Sequence, residues 1–276
     1  MRLSALFLLS CLVSVQAPAQ GKLRELLTGR PPEGFTERTW TVDGVKRTAL
    51  VRVPTDPKAL AAVVFCWHGH GGNSTQAVRG WSFDKADPTS ILIYPQGLPT
   101  VSPLVDKEGR HSGWQSAVGA EGDRDIKFFD TVLADLKKER SVDERRIYSM
   151  GHSNGAAFSY VLWQARPDVL AAIGSVAGSL TVKARDLPPM PVIHIAGEND
   201  PLVKFAWQQA TFAAVRRFNG CTDEGKPYAK DGVLEATLFT STKGAPLVTA
   251  IHRGGHEYPK GSSELIVRFF KENPRK

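Results

Sequence analysis

Apolar residues along this chain fall into two kinds of run. The first is continuous: "AAVVFCW" (61–67), "TSILIYPQG" (89–97), "RIYSM" (146–150), "LAAIGSVAG" (170–178), "MPVIHIAG" (190–197) and "GAPLVTAIHR" (244–253). Runs this short and this apolar predict strands buried on both faces. The second is spaced. Ile126, Phe129, Val132, Leu133 and Leu136 recur every three or four residues, which predicts an amphipathic helix from Asp123. Further helices are expected from Gly155 to near Arg166-Pro167, over 203–218, and in "SSELIVRFFKE". "ERTWTVDGVKRTALVRVP" instead alternates about Asp43-Gly44, a two-residue hairpin signal. Residues 100–122, rich in Gly, Ser and charge, read as a long surface loop. Buried strands alternating with helices imply an α/β domain with a mostly parallel sheet covered on both sides. No repeat or low-complexity linker divides it, so a single domain over 36–276 is expected.

The first residues are a different material. Arg2 precedes an apolar stretch, Leu3 to Val15, and then "APAQ". A basic start, a core of roughly 13 apolar residues and an Ala-x-Ala end predict a secretory signal peptide over 1–19. "LLSC" at Cys11 fits a lipoprotein signal poorly. A loose leader, 20–35, is expected to follow. The localisation implied is secreted or periplasmic, with no membrane anchor. Export leaves Cys66 and Cys221 in a compartment where thiols can pair, and a free buried Cys66 is equally ordinary in an apolar strand. The formal charge of +7 is scattered, with no basic run, so it reads as a solvated surface and not as a nucleic-acid site.

Candidate chemistry sits where one strand turns into a helix. Gly151-His152-Ser153-Asn154-Gly155 has the Gly-x-Ser-x-Gly form of a nucleophile elbow. The small residues permit a tight turn that exposes the Ser153 hydroxyl. The backbone N–H of Asn154, at the helix start, is positioned to receive an oxyanion. Serine needs a base and an orienting acid. With a nucleophile elbow these follow in the order acid, then His, on loops after strands. Asp200, beyond "MPVIHIAG", and His256, beyond the last strand, satisfy that order. Glu198 is the alternative acid. His252 lies within a strand and reads as structural, and Asp223 and Asp231 lie outside strand ends. The second oxyanion donor is expected from "HGHGGN" after the strand at 61–67: the N–H of His70, with Gly69 or Gly71 as alternatives. A His-x-His pair without nearby acidic ligands is a poor metal site, so no metal or cofactor is expected at His68 and His70. His152 is read as packing.

These segments resemble the secreted α/β-hydrolase esterases of the polyhydroxybutyrate depolymerase and feruloyl esterase group, with motifs spread over roughly residues 40–270. They include "HGHGGN", "DIKFFDTVLADL", "DERRIYSMGHSNGAAFSYVL", "IGSVAG", "PVIHIAGENDPLV" and "GGHEYP". The resemblance implies an α/β-hydrolase fold and a Ser153, Asp200, His256 triad. It departs at His70, where a Cys or small residue is common, and at Ala156, where a second Gly is common. The chain leaves no room for an added binding module, which argues against efficient attack on insoluble polyester.

The implied function is a serine carboxylesterase on feruloyl- or acetyl-type esters, possible partners being small or oligomeric, plant-wall-derived ester substrates. Short hydroxyalkanoate oligomers are the alternative. A peptidase is disfavoured by the lack of a lid or propeller domain, and a non-catalytic carbohydrate-binding protein by the complete triad. Trp114, in "SGWQ", and Trp81 are expected to line a substrate wall, with Trp67 near them, although loop tryptophans also serve as packing anchors.

Overall fold

The computed structural model describes residues 30–56, 58–181 and 187–276. The expected signal peptide, Cys11 and most of the leader lie outside them. A sheet of ten strands runs through the molecule. In chain order its strands are β1 (Thr36–Val42), β2 (Val45–Arg52), β3 (Ala61–Trp67), β4 (Ile91–Pro95), β7 (Val142–His152), β8 (Ala172–Val176), β9 (Val192–Gly197), β10 (Lys226–Asp231), β11 (Leu234–Phe239) and β12 (Leu247–His252). A separate two-stranded pair joins β5 (Leu98–Pro99) to β6 (Ser112–Gly113). The order across the large sheet is β1-β2-β4-β3-β7-β8-β9-β12-β11-β10. Neighbours from β4 to β12 are parallel, and an antiparallel hairpin closes each edge.

The helices are α1 (Ser74–Trp81), α2 (Phe83–Ala86), α3 (Arg124–Glu139), α4 (Asn154–Ala165), α5 (Phe205–Asn219) and α6 (Ser262–Glu272). They explain why the central strands are apolar throughout. In β3, Ala61, Val63, Phe65 and Trp67 enter one core with residues of α3, α4 and α5. Ala62, Val64 and Cys66, on the other side of the pleat, enter a second core with α1 and α6. A strand with two covered faces has no polar position to spare. Among the described residues no helix is long and apolar enough to cross a membrane.

Asp43 and Gly44 turn β1 into β2 with φ of 48° and 78°, the left-handed pair a two-residue hairpin needs. Three features depart from the sequence reading. Phe35, at the end of the expected loose leader, is buried against Tyr94. Helix α1, capped by the Asn73 side chain accepting from Gln76 N–H at 2.8 Å, follows the glycine-rich loop directly. Strand β10 is the edge, where exposed positions remove the apolar pattern, and β11 beside it buries only Leu234 and Ala236; Asp231 ends β10. Cys66 and Cys221 are both free thiols, Cys66 buried within β3. Burial pushes the Cys66 thiol pKa up.

Beneath the 100–122 loop lies a buried ion pair that hydropathy does not announce. Arg47 Nη2 donates to Asp125 Oδ1 at 2.8 Å, with both side chains almost wholly inaccessible. Desolvation lowers the Arg47 pKa despite its partner. Asp125 Oδ2 also accepts from Gln115 N–H at 2.9 Å, and Gln115 Oε1 accepts from Asp125 N–H at 3.0 Å. This fixes the residue that follows Trp114 to the start of α3.

Candidate active site

The carboxyl ends of β3, β7, β9 and β12 open onto a cavity of about 650 Å³. Ser153 stands between β7 and α4 with φ 55° and ψ −120°, a conformation few non-glycine residues adopt. The two flanking glycines are sterically required. A Cβ on Gly151 would lie 2.4 Å from the backbone of Gly155, and one on Gly155 would lie 2.1 Å from Trp67 O. Ala156 is fully buried and keeps its place, so the departure from a second glycine leaves the turn intact.

Ser153 Oγ–H donates to His256 Nε2 at 2.8 Å, and His256 Nδ1–H donates to Asp200 Oδ2 at 2.8 Å. Asp200 Oδ1 accepts from the N–H groups of Leu202 and Val203 at 2.8 and 2.9 Å. Glu198 points outward on the exposed part of the same loop. Gly197 lets the segment after β12 pass close to the end of β9: a Cβ on it would lie 2.3 Å from Gly255 O and 2.6 Å from Gly254 O. The imidazole thereby returns over the strand ends.

A buried chain supports Asp200 from behind. Gln208 Nε2–H donates to Val203 O at 2.8 Å and, more weakly, to Asp200 Oδ2 at 3.4 Å. Its Oε1 must then accept, at 3.1 Å, from His194 Nε2–H. His194 Nδ1 in turn accepts from the Tyr160 hydroxyl at 2.7 Å. Burial lowers the His194 pKa to about 4, which matches a neutral ring with one donor and one acceptor. His152 packs against the His256 ring at 5.0 Å; burial, with repulsion from His256, lowers its pKa to about 4. His68 is also structural: Nδ1–H donates to Gly69 O at 2.8 Å, and Nε2 accepts from Gly97 N–H at 3.0 Å.

Two backbone N–H groups border the cavity beside Ser153. Among the described residues no acceptor meets the N–H of Asn154 or of His70. The Gly71 N–H is engaged, donating to Ser112 O at 2.7 Å. The Asn154 side chain clamps the backbone of one residue, accepting from Trp114 N–H at 2.7 Å and donating to Trp114 O at 3.2 Å. That clamp joins the first turn of α4 to the 113–126 segment.

No family model matches the chain. It is 25% identical to feruloyl esterase C of Emericella nidulans over 224 residues, 76% of each chain. Its structure overlays the Bacillus cereus carboxylesterase with a TM-score of 0.59 at 16% identity, covering 82% of this chain and 94% of the other. A ferulic acid esterase from Anaeromyces mucronatus, solved in complex with ferulic acid, overlays with a TM-score of 0.58 at 14% identity, covering 87% and 90%. The fold is the α/β-hydrolase fold. The resemblance to the feruloyl esterase group drawn from the motifs extends to these relatives.

The tryptophans divide. Trp81 is 8% exposed, borders the cavity and stacks on Tyr258 at 5.0 Å. Trp114 does not form a substrate wall. It is 1% exposed, its indole N–H donates to His68 O at 2.7 Å, and Trp67 and Phe158 enclose its rings. It braces the strand end behind the glycine-rich loop. Trp67 is wholly buried, donating to Ser149 Oγ at 2.9 Å. The apolar walls come from residues the sequence reading did not single out, Val101, Leu104, Val105 and Leu202, each exposed at the cavity. Isolated apolar residues in polar loops carry no periodic signal, so only the folded loop identifies them.

Proposed function

We propose that this carboxylic ester hydrolase works through an acyl-enzyme formed on Ser153, with His256 as general base and acid and Asp200 as its orienting carboxylate. The observation that carries the reading is the unbroken hydrogen-bonded chain Ser153–His256–Asp200 at the cavity floor. As the hydroxyl attacks an ester carbonyl, His256 Nε2 takes its proton, and Asp200 stabilises the resulting imidazolium. The N–H groups of Asn154 and His70 receive the oxyanion. The imidazolium protonates the departing alkoxide, and the alcohol leaves. Water activated by the same imidazole then attacks the acyl-enzyme, and the acid is released with Ser153 reprotonated.

The substrate class proposed is a feruloyl- or acetyl-type ester. Support comes from the apolar cavity edged by Trp81, Leu104 and Val105, which suits a planar acyl group, and from the relatives named feruloyl esterase and ferulic acid esterase. Secretion or periplasmic release after removal of residues 1–19 belongs to the same reading. The test is turnover of methyl ferulate, 4-nitrophenyl acetate, 4-nitrophenyl butyrate and a soluble hydroxybutyrate oligomer by wild type and Ser153→Ala. Ser153→Ala should lose on the order of 10³-fold or more in kcat on every ester wild type turns over. Retained turnover in Ser153→Ala would overturn the mechanism. A preference for the hydroxybutyrate oligomer would overturn the substrate class and leave the mechanism standing.

A further inference from the structure

Asp106 and His111 belong to one loop, and His70 lies 36 residues before Asp106. The fold brings them to one point beside the cavity wall. His70 Nε2 and His111 Nδ1 each lie 3.1 Å from the same carboxylate oxygen, Asp106 Oδ2. One donor atom from each residue falls within 4.8 Å of the other two. We propose that these three side chains form a binding site for a transition-series dication of the zinc type, outside the Ser153–His256–Asp200 machinery.

The donor set argues for that class of ion. Two imidazole nitrogens and one carboxylate oxygen suit Zn²⁺, Co²⁺, Ni²⁺ or Fe²⁺, whereas Ca²⁺ and Mg²⁺ select oxygen. The two nitrogen–oxygen distances, 3.1 Å each, agree. Bonds of about 2.0–2.1 Å in a tetrahedral site place neighbouring donors roughly 3.3–3.4 Å apart. Both nitrogen–oxygen edges therefore need to open by only a few tenths of an ångström. The backbone N–H of His111 donates to Asp106 Oδ2 at 2.8 Å, which holds the carboxylate oriented between the two rings.

The backbone carrying the ligands is already fixed. Gly71 N–H donates to Ser112 O, Thr100 N–H donates to His111 O at 3.0 Å, and Ser102 and Asp106 exchange N–H···O bonds at 2.8 Å. Little ordering remains to oppose binding. His70 is buried over Gly113, where any Cβ would lie 2.6 Å from its Nδ1. His111 is two-thirds exposed, which gives the ion a path in from solvent and leaves room for water as a fourth ligand. A bound ion would fasten the 100–111 loop, with Leu104 and Val105, to the glycine-rich loop after β3.

The test uses the full mature chain, freed of metal with a chelator and dialysed, then titrated with Zn²⁺ by calorimetry and with Co²⁺ by visible absorption. Wild type should bind one ion per chain. It should show the intense visible bands of a four- or five-coordinate cobalt site, and its thermal midpoint should rise by several degrees with zinc. His111→Ala, on an exposed ring that leaves folding intact, should lose the bands and weaken zinc binding at least tenfold. Asp106→Asn, which keeps the side-chain shape, should do the same. Absence of saturable binding to wild type would overturn the proposal. So would binding unchanged in His111→Ala, or binding that disappears in His256→Ala and persists in His111→Ala, which would place the ion on the triad imidazole.

Discussion

Gly155→Ala is the sharpest perturbation of the elbow, because it adds a single methyl group and removes nothing. The new Cβ would sit 2.1 Å from Trp67 O and 2.6 Å from both His68 O and Trp67 C. All three are backbone atoms at the end of β3, held in register with β7 by the pairing of Trp67 with Gly151. No side chain can swing aside. To reach an ordinary contact of 3.4 Å, the first turn of α4 must retreat from β3 by about an ångström. Ser153 and the Asn154 N–H ride on that turn. A displacement of about 1 Å in a catalytic group costs on the order of 10²-fold in rate. Overpacking should also lower stability by about 1–3 kcal/mol. Gly80→Ala is the matched control. Gly80 lies in α1 with nothing within 4 Å of its Cβ position, so the same methyl group should leave turnover unchanged and raise stability by about 0.5–1 kcal/mol. The assay is kcat/KM on 4-nitrophenyl acetate together with urea midpoints for both variants. Wild-type kcat/KM in Gly155→Ala would refute the claim that close approach of α4 to β3 sets the position of Ser153, the proposed nucleophile.

Other outcomes follow from the same coordinates. Trp114→Ala should destabilise the chain by about 3–5 kcal/mol in urea melts, since it empties a buried ring site and strands His68 O; a small change would return Trp114 to the substrate wall. Arg47→Met should cost about 3–5 kcal/mol by removing the 2.8 Å partner of the buried Asp125 carboxylate and leaving only Arg124 Nε, at 3.7 Å, near it, again read from urea midpoints. Gln208→Leu should lower kcat about tenfold with KM little changed, because it removes the side-chain amide that donates to Val203 O and, weakly, to Asp200 Oδ2; equal loss in Gln208→Leu and a variant distant from Asp200 would show a merely structural role. Stability should fall in acid. Burial lowers His68 and His194 to about 4 from 6.5, so between those values the unfolded chain binds more protons than the folded one. Their contribution is full above pH 6.5 and is lost as pH drops towards 4, each on the order of 3 kcal/mol. Urea midpoints that stay flat from pH 7.5 to 4.5 would contradict this.

What the sequence made legible was local or directional. The elbow is five consecutive residues whose spacing reports a steric requirement, and the clashes at Gly151 and Gly155 state that requirement in ångströms. Asp200 and His256 could be placed because each follows a strand recognisable by its own apolar run, and parallel strands deliver their ends to one side. The 100–122 loop was legible only as a loop. Its fold depends on Asp125 reaching Arg47 and on Ser112 pairing with Gly71, contacts with partners dozens of residues away. Trp114 shows the consequence. Its composition and position fit a substrate wall as well as a packing anchor, and the bond to His68 O decides for packing. Strand β10 escaped because an exposed edge strand does not need the apolar pattern that reveals a buried one, and β11, paired on both sides, buries only Leu234 and Ala236.

The same reasoning explains why reactive groups collect where they do. The central strands β3, β7, β8 and β9 are buried along almost their whole apolar length, with helices over both faces. A hydroxyl, imidazole or carboxylate placed inside them loses water and is costly unless a protein group replaces it, as Trp67 and Ser159 do for Ser149. His194 is tolerated there only because Tyr160 and Gln208 satisfy both ring nitrogens. Polar chemistry is therefore driven to the strand ends, and the parallel arrangement gathers four of those ends at one cavity. Within that geometry the glycine-rich loop has two neighbours, Ser153 on the strand side and the 100–111 loop on the solvent side. His70 faces both: its N–H borders the cavity, and its ring meets Asp106. A residue with that double position couples the order of the outer loop to the place where an oxyanion would form. A small side chain there would free the two loops from one another, which gives a physical meaning to histidine at a position where the resemblance leads one to expect something smaller.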